Sequence, residues 1–95
     1  MRNYELLMII SPDVTEEDIP STLEKVTEYV TARGGTVTDT NRWGRRKLAH
    51  PISHFREGNY VLTHLQLEPG SIAEVETSLR ISEKILRHLL VKLED

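Results

Sequence analysis

The segment NRWGRRKLAHPI, residues Asn41–Ile52, concentrates side chains that bind negatively charged groups. It holds four of the chain's twelve basic residues, among them Arg45, Arg46 and Lys47, together with the single tryptophan, and it holds no acidic residue. Basic side chains contact phosphate oxygens, and an exposed aromatic ring is a surface on which a base stacks. These residue types are compatible with a nucleic-acid contact and with an ordinary solvated strand.

Trp43 has two interpretations of its own. It either stacks on a base or packs beside the bend that Gly44 predicts in this strand. We favour packing, because a tryptophan without aromatic neighbours in its segment is a poor stacking platform.

Five more basic residues stand at the ends of predicted elements or along the last one: Arg2, Arg80, Lys84, Arg87 and Lys92. Such residues either prevent pairing between sheet edges or contact phosphate groups, and the residues alone do not separate the two. For Arg56 we favour edge protection. If the first and last strands are neighbours, Arg2 and Lys92 lie near the same end of the sheet.

The spacing of the histidines and glycines does not indicate a catalytic site. The four histidines, His50, His54, His64 and His88, have neither a cysteine partner nor an H-E-x-x-H arrangement, and we interpret them as surface or half-buried side chains. Gly34-Gly35 ends a helix and lacks the spacing of a phosphate-binding loop. We therefore expect no enzyme activity, no metal, no cofactor and no small-molecule substrate.

Composition sets the class of protein. A chain of 95 residues with 38% hydrophobic and 28% charged residues suits one globular domain, residues 1–95. It has no apolar run near the roughly 20 residues of a membrane span, so we expect no membrane association. The absence of cysteine fits a reducing compartment.

The net charge of −3 hides an uneven distribution along the chain. Residues 1–39 carry three basic and eight acidic groups, residues 40–92 carry nine and five, and Glu94 and Asp95 add two negative charges. Screening limits charge effects to about 8–10 Å in physiological salt, so an acidic chain can still present a basic patch to RNA.

Hydrophobic periodicity predicts the first half of the fold. Alternation over residues 2–10 predicts a strand, with Leu6, Met8 and Ile10 on one face. A helix follows, with Thr15 as its N-cap, and runs through Arg33 to Gly34-Gly35. Pro20 stands one turn inside this range and leaves three possibilities: a kink, a loose first turn, or a helix that begins near Pro20 itself.

The second half repeats the pattern. Thr36–Ile52 predicts a second strand bent near Gly44, residues 53–59 a hairpin loop, and residues 60–68 a third strand. Ser71 is the expected N-cap of a second helix, in which Ile72, Val75 and Leu79 recur at helical spacing. Residues 85–93 fit a last strand, although they could also continue the helix.

The order β-α-β-β-α-β predicts an α+β, ferredoxin-like sandwich. Its four-stranded antiparallel sheet has the order 4-1-3-2, with both helices on one face. The opposite face is left uncovered by the chain, and apolar residues there need a partner or must tolerate solvent. The third strand, EGNYVLTHLQL, has only one aromatic residue, so base stacking on the sheet in the manner of an RNA-recognition motif is not expected.

The whole chain, from Met1 to about Glu94, resembles the bacterial small-subunit ribosomal protein S-six family. The resemblance rests mainly on W-G-R-R-K-L-A-H-P-I at residues 43–52. It is supported by R-N-Y-E at residues 2–5, P-D at 12–13, E-G-x-Y at 57–60, L-R at 79–80 and L-R-x-L-x-V-K-L at 86–93. The sequence departs from the family pattern at His50, where tyrosine is usual, and at Lys47, where arginine is common.

The resemblance implies a ribosomal protein that is not an enzyme. It implies binding to the central domain of 16S rRNA as a heterodimer with ribosomal protein S-eighteen. The expected RNA contacts are Arg2, Arg45, Arg46, Lys47, Arg80, Lys84, Arg87 and Lys92. The expected partner contacts are the apolar residues of the uncovered face, Leu7, Ile9, Tyr60, Leu62 and Leu89.

Two other functions of this topology remain as alternatives. A regulatory module that binds small ligands usually has a glycine-rich or polar pocket after the first strand, where this chain has SPDV. An acyl-phosphate hydrolase needs an arginine in the same loop, and Ser11–Val14 contains none.

Overall fold

Four strands and two helices follow one another in the order β-α-β-β-α-β in the computed structural model, which describes residues 1–93. The strands are β1 (Arg2–Ile10), β2 (Thr36–Ile52), β3 (Phe55–Leu67) and β4 (Ile85–Lys92), and the helices are α1 (Ile19–Thr31) and α2 (Ile72–Ile81). They form one antiparallel sheet of order β2-β3-β1-β4, which confirms the expected ferredoxin-like arrangement. The two negative charges of Glu94 and Asp95 lie outside the described residues. Within residues 1–93 no helix has the length and apolar content that a membrane crossing requires.

The core lies between one face of the sheet and the two helices. On β1, Leu6, Met8 and Ile10 are fully buried, as the alternation of that strand predicts. Strand β3 adds Val61, Leu65 and Leu67 to the same layer, and the helices add Val26, Val30, Val75 and Leu79. Each fully buried aliphatic side chain contributes about 1.5–3 kcal/mol relative to exposure, so this layer is the main stabilising feature of the fold.

Helix α1 begins at Ile19, which confirms one of the three possibilities, a helix that begins near Pro20. Proline is tolerated in a first helical turn because the backbone N–H that it lacks has no intrahelical acceptor there. The expected N-cap at Thr15 is wrong: its carbonyl accepts hydrogen bonds from the N–H groups of Asp18 and Ile19 in a separate turn, and Asp18 occupies the cap position.

The glycine pair ends α1 as expected, although the helix itself stops at Thr31 and not at Arg33. Gly34 has φ +78°, a conformation that costs glycine little, and the N–H of Gly35 donates to the carbonyl of Val30 at 3.0 Å. Gly35 is required for a different reason: a Cβ there would overlap the carbonyl of Gln66 and the side chain of Leu67.

The expected hairpin loop over residues 53–59 is wrong, because the connection is a two-residue turn at Ser53 and His54. Both residues have positive φ, 48° and 62°, which is the combination in the tight turns that match the twist of paired strands. The Glu57-Gly58-Asn59 segment lies inside β3, which begins at Phe55. Gly58 is there because the side chain of Ile9 occupies the space that a Cβ would fill.

Strand β2 is interrupted at three places where its register with β3 shifts. The second shift lies between Arg42 and Gly44, and Gly44 has φ +89°, which confirms the expected bend. The third lies between Lys47 and Ile52, so that residues 48–51 have no register partner on β3, where only Arg56 separates Glu57 from Phe55.

Strands β2 and β3 extend beyond the rest of the sheet. The pairing of β1 with β3 ends where Ile10 lies opposite Asn59, and the hairpin that continues past this point pairs only with itself. We call residues 46–58 the arm. The sheet end from which it projects is the arm end.

The last segment is strand β4, as favoured, and it pairs with β1. It is one edge of the sheet, and β2 is the other. The face opposite the helices, which we call the open face, remains uncovered within the described chain.

Candidate nucleic-acid and partner interface

Six of the eight expected RNA-binding cations lie toward the arm end. Arg45, Arg46 and Lys47 stand opposite Asn59, Gly58 and Glu57 on the hairpin. Arg80 is in the last turn of α2, and Lys84 precedes β4. Arg87 lies opposite Ile9, near the C-terminal end of β1. A hydrogen bond of 2.8 Å from the N–H of Ser11 to the carbonyl of Lys84 joins the α2–β4 turn to the end of β1.

Arg2 and Lys92 lie at the other end of the sheet. Arg2 stands opposite Leu67 and Lys92 opposite Tyr4, which confirms that the two are near one another. Arg2 and Ile9 are seven residue steps apart along β1, or about 23 Å at the usual rise of a strand. The structure therefore divides the eight cations into a group of six and a distant pair.

Arg45 is engaged within the molecule. Its guanidinium donates a hydrogen bond of 2.8 Å to the carbonyl of Pro12 and lies 3.8 Å from the carboxylate of Glu57. The side chain thus joins the base of the arm to the β1–α1 loop. Arg42, on the same strand, is similarly occupied by an ion pair with Glu16.

Arg46 has a different environment from its neighbour. Its guanidinium carbon lies 5.3 Å from the centroid of the Trp43 ring, and Trp43 is stacked on Tyr60 with centroids 6.3 Å apart and planes 8° from parallel. Cation–π and stacked aromatic contacts of this kind stabilise an exposed cluster by about 0.5–1.5 kcal/mol each. Trp43 packs against protein atoms and still has 39% of its surface exposed.

The aromatic partner of Trp43 was not visible in the local sequence. Tyr60 is seventeen residues further along the chain, and only the pairing of β2 with β3 brings it opposite Gly44. The shift beside Gly44 places Trp43 as the extra residue at that bulge.

The remaining cations of the arm-end group are exposed. Within residues 1–93, no carboxylate forms an ion pair with Lys47, Arg80, Lys84 or Arg87. Exposed cations without an internal partner are the ones best able to neutralise phosphate groups.

The open face carries a short apolar row across three strands. Leu62, Leu7 and Leu89 lie side by side, each opposite the next in the register. Tyr60 and Ile9 form the adjacent row toward the arm end. Leu89 is 59% exposed, whereas Ile9 is only 9% exposed because its neighbours already cover it.

Polar residues border this apolar row on the side away from the arm. The Nε2 atom of His64 lies 3.1 Å from a carboxylate oxygen of Glu5, and its Nδ1 atom lies 3.8 Å from Asp39. Val91, opposite Glu5, adds an apolar side chain that is 44% exposed. Sequence reasoning missed Val91, although its alternation with Leu89 placed it on the same face.

Titratable clusters of the kind that bind metals are not found in the described range. No group of three or more histidine or carboxylate side chains within residues 1–93 has the geometry to hold a metal ion. The arrangement combines exposed cations at the arm end with an apolar row on the open face. These two surfaces belong to a protein of the ferredoxin-like class.

The chain belongs to the ribosomal protein S6 family. The model of the family described as "Ribosomal protein S6" matches residues 3–92, nearly the whole chain. This match confirms the resemblance seen in the W-G-R-R-K-L-A-H-P-I segment.

Relatives of similar length support the assignment. The small ribosomal subunit protein bS6 of Desulforamulus reducens is 39% identical over 92 residues, which are 97% of this chain and 97% of the relative. The protein of the same name from Fusobacterium nucleatum is 41% identical over 97% of this chain and 98% of its own length. The chain is thus a structural protein of the small ribosomal subunit.

Solved structures agree with the fold. The crystal structure of the 30S ribosomal protein S6 from Thermotoga maritima has a TM-score of 0.90 at 30% identity, covering 97% of this chain and 87% of that one. The C-terminal domain of the MgtC protein from Mycobacterium tuberculosis, at 12% identity and a TM-score of 0.63, covers 99% of this chain and 89% of that domain; it shares the fold alone.

Proposed function

We propose that the chain binds the central domain of 16S rRNA cooperatively with ribosomal protein S-eighteen, as a single domain with no catalytic activity or cofactor of its own. The observation that carries the proposal is the separation of two surfaces: unpaired cations lie toward the arm end, and the apolar row lies on the open face. RNA affinity depends on phosphate neutralisation, whereas protein contacts depend on apolar burial. The cations thus suit the RNA, and the apolar row suits the protein partner. The assembly forms on the ribosome in the cytoplasm.

The cations have unequal parts in this proposal. Arg46, Lys47, Arg80, Lys84 and Arg87 contact phosphate groups at the arm end. Arg45 mainly holds the arm against the β1–α1 loop, since its guanidinium already has two partners in the chain. Arg2 and Lys92 contact a second stretch of RNA at the far end of β1.

Leu7, Leu62 and Leu89 receive the partner protein, with Tyr60 and Ile9 at the margin of the contact. Binding both partners at adjacent surfaces makes the assembly cooperative, because each interaction positions the chain for the other. An acyl-phosphate hydrolase is not proposed, because the loop after β1 offers no arginine.

The RNA surface is tested by replacing Arg80 and Arg87 with alanine together. The slope of the logarithm of affinity against the logarithm of salt concentration should become shallower by about 1.4–1.8, or about 0.7–0.9 for each lost phosphate contact. The measurement is binding to the central-domain RNA between low and physiological salt.

Arg33→Ala is the matched control, because Arg33 is an exposed cation that pairs with Glu74 and is not among the proposed contacts. It should leave the salt slope near that of the unmodified chain. A double variant with an unchanged slope would remove Arg80 and Arg87 from the interface.

A further inference from the structure

A groove of about 630 Å³ lies between the arm and the β1–α1 loop. Pro12 forms its wall on the loop side, and Lys47, Pro51, Phe55 and Arg56 line it on the arm side. Its size is within the range of about 300–1,000 Å³ that is usual for small-molecule and cofactor sites. Of its lining residues, only Lys47 belongs to the RNA surface proposed above, and none belongs to the apolar row.

The groove is a consequence of the third register shift in β2. Residues 48–51 have no register partner on β3, where the single residue Arg56 spans the same interval, so this part of β2 departs from the regular ladder. Pro51 lacks the N–H that a regular ladder would use at that point. Arg45 holds the two walls in place through its bonds to Pro12 and Glu57.

The lining combines aromatic rings with cations. The rings of His54 and Phe55 are stacked with centroids 5.1 Å apart and planes at 30°. Lys47 and Arg56 are exposed, and neither forms an ion pair within residues 1–93. The one carboxylate in the lining, Glu57, faces Arg45.

We propose that this groove holds one unpaired nucleotide of the bound RNA, with its base against the His54–Phe55 pair and its phosphate beside Lys47 and Arg56. The proposal rests on the proposed RNA-binding function and adds to it a site for single-stranded RNA. Aromatic surfaces accept any base, and the flanking cations match the charge of the nucleotide backbone. An acidic protein segment would use the cations and leave the ring surface without a partner, so RNA is the occupant favoured by the lining.

The test measures the affinity of the full chain for a mixed-sequence single-stranded RNA of ten nucleotides and for the same sequence as a duplex. Phe55→Leu keeps an apolar side chain at a half-buried position and removes the stacking ring, and it should weaken single-strand binding by at least about fivefold. His54→Asn removes the other ring while keeping a residue type that tolerates positive φ. Binding of the duplex should be unchanged in both variants.

Arg56→Ala alters an exposed side chain, so it tests the groove without disturbing the core. It should make the salt slope for single-stranded RNA shallower by about 0.7, whereas Arg33→Ala should leave that slope unchanged.

The proposal is overturned if the unmodified chain does not bind the single strand, or if both ring variants bind it as well as the unmodified chain. It is also overturned if those variants lose affinity for ribosomal protein S-eighteen in the absence of RNA, because the groove would then hold a protein segment. A different result would contradict the proposed function: the unmodified chain together with ribosomal protein S-eighteen would not bind the central-domain RNA.

Discussion

Adjacent residues of the same type have different surroundings in this protein. Arg45 reaches toward the β1–α1 loop, where it donates to Pro12, and Arg46 lies over the Trp43 ring on the other side of β2. Because successive side chains of a strand point to opposite faces, neighbours in sequence are not neighbours in function. A basic segment therefore has to be divided residue by residue before its cations are assigned to RNA.

The backbone of Gly35 packs closely against Gln66 and Leu67 of β3, and this contact gives a prediction at the residue scale. A methyl group there would overlap the carbonyl of Gln66 and the side chains of Leu67 and Val30, so Gly35→Ala should lower the free energy of unfolding by about 1–3 kcal/mol. Denaturant unfolding measures the change. Gly70→Ala is the control, since no heavy atom lies within 4 Å of a Cβ at that position, and equal effects of the two variants would contradict the packing argument.

The arm carries two of the proposed phosphate contacts, Arg46 and Lys47, and all of the lining of the proposed nucleotide groove except Pro12. Its two strands pair only with each other beyond Asn59, and its end is the two-residue turn at Ser53 and His54. Its position depends on the Arg45 contacts at its base and on the tight turn at its end. Neither of these features involves the hydrophobic core, whereas Gly58, at the base of the arm, has no room for a side chain beside Ile9.

The turn provides a prediction at the element scale. Neither Ser53 nor His54 is a residue type that favours two successive positive φ angles, whereas Asn-Gly does. The double variant Ser53→Asn, His54→Gly should therefore raise the free energy of unfolding by about 0.5–1 kcal/mol, a gain reduced by the greater freedom of glycine in the unfolded chain.

Thr40→Gly serves as the control for the turn variant, because Thr40 is exposed within β2, where glycine should instead cost about 0.5–1 kcal/mol. Chemical denaturation of both variants provides the comparison. A turn variant less stable than the unmodified chain would show that the Asn-Gly pair does not fit this connection.

At the scale of the whole molecule, the two faces of the sheet have different roles. One face of the sheet buries the core, and the other leaves Leu7, Leu62 and Leu89 in a row that nothing in the described chain covers. The arm-end cations lie beside this row and not within it. In the proposed assembly the protein partner and the RNA are therefore neighbours, since Arg87 lies opposite Ile9 at the margin of the apolar row.

Exposure of Leu89 allows the partner surface to be tested separately from folding. Ribosomal protein S-eighteen should increase the affinity of the unmodified chain for central-domain RNA by about 5–150-fold, the usual range of coupling between sites. Leu89→Ser should reduce this increase while RNA binding without the partner stays the same, because Leu89 is 59% exposed and contributes little to the core.

Ile81→Ser is the matched control for Leu89, since Ile81 is an apolar residue that is 73% exposed on α2. It should leave the coupling unchanged. RNA titrations with and without the partner measure both variants, and a Leu89→Ser chain with full coupling would exclude Leu89 from the partner surface.

The sequence by itself determined the elements and their order. The alternation of β1, the glycine pair after α1 and the positions of the apolar residues in α2 are local signals, and each predicted the element that formed. The topology followed, because few arrangements connect these elements without crossing or left-handed connections. The family was also recognisable, since its W-G-R-R-K-L-A-H-P-I segment is continuous in the chain.

Only the tertiary structure decided how the candidate site is arranged. Alternation places Arg45 and Arg46 on opposite sides of β2, but the three register shifts of this strand decide which residues of other elements each of them contacts. The contact of Trp43 with Tyr60, the division of the cations between two ends of the sheet and the groove under the arm all depend on pairings between distant residues. Local sequence specifies backbone preference, but the relative position of side chains on different strands is fixed by pairing and by bulges.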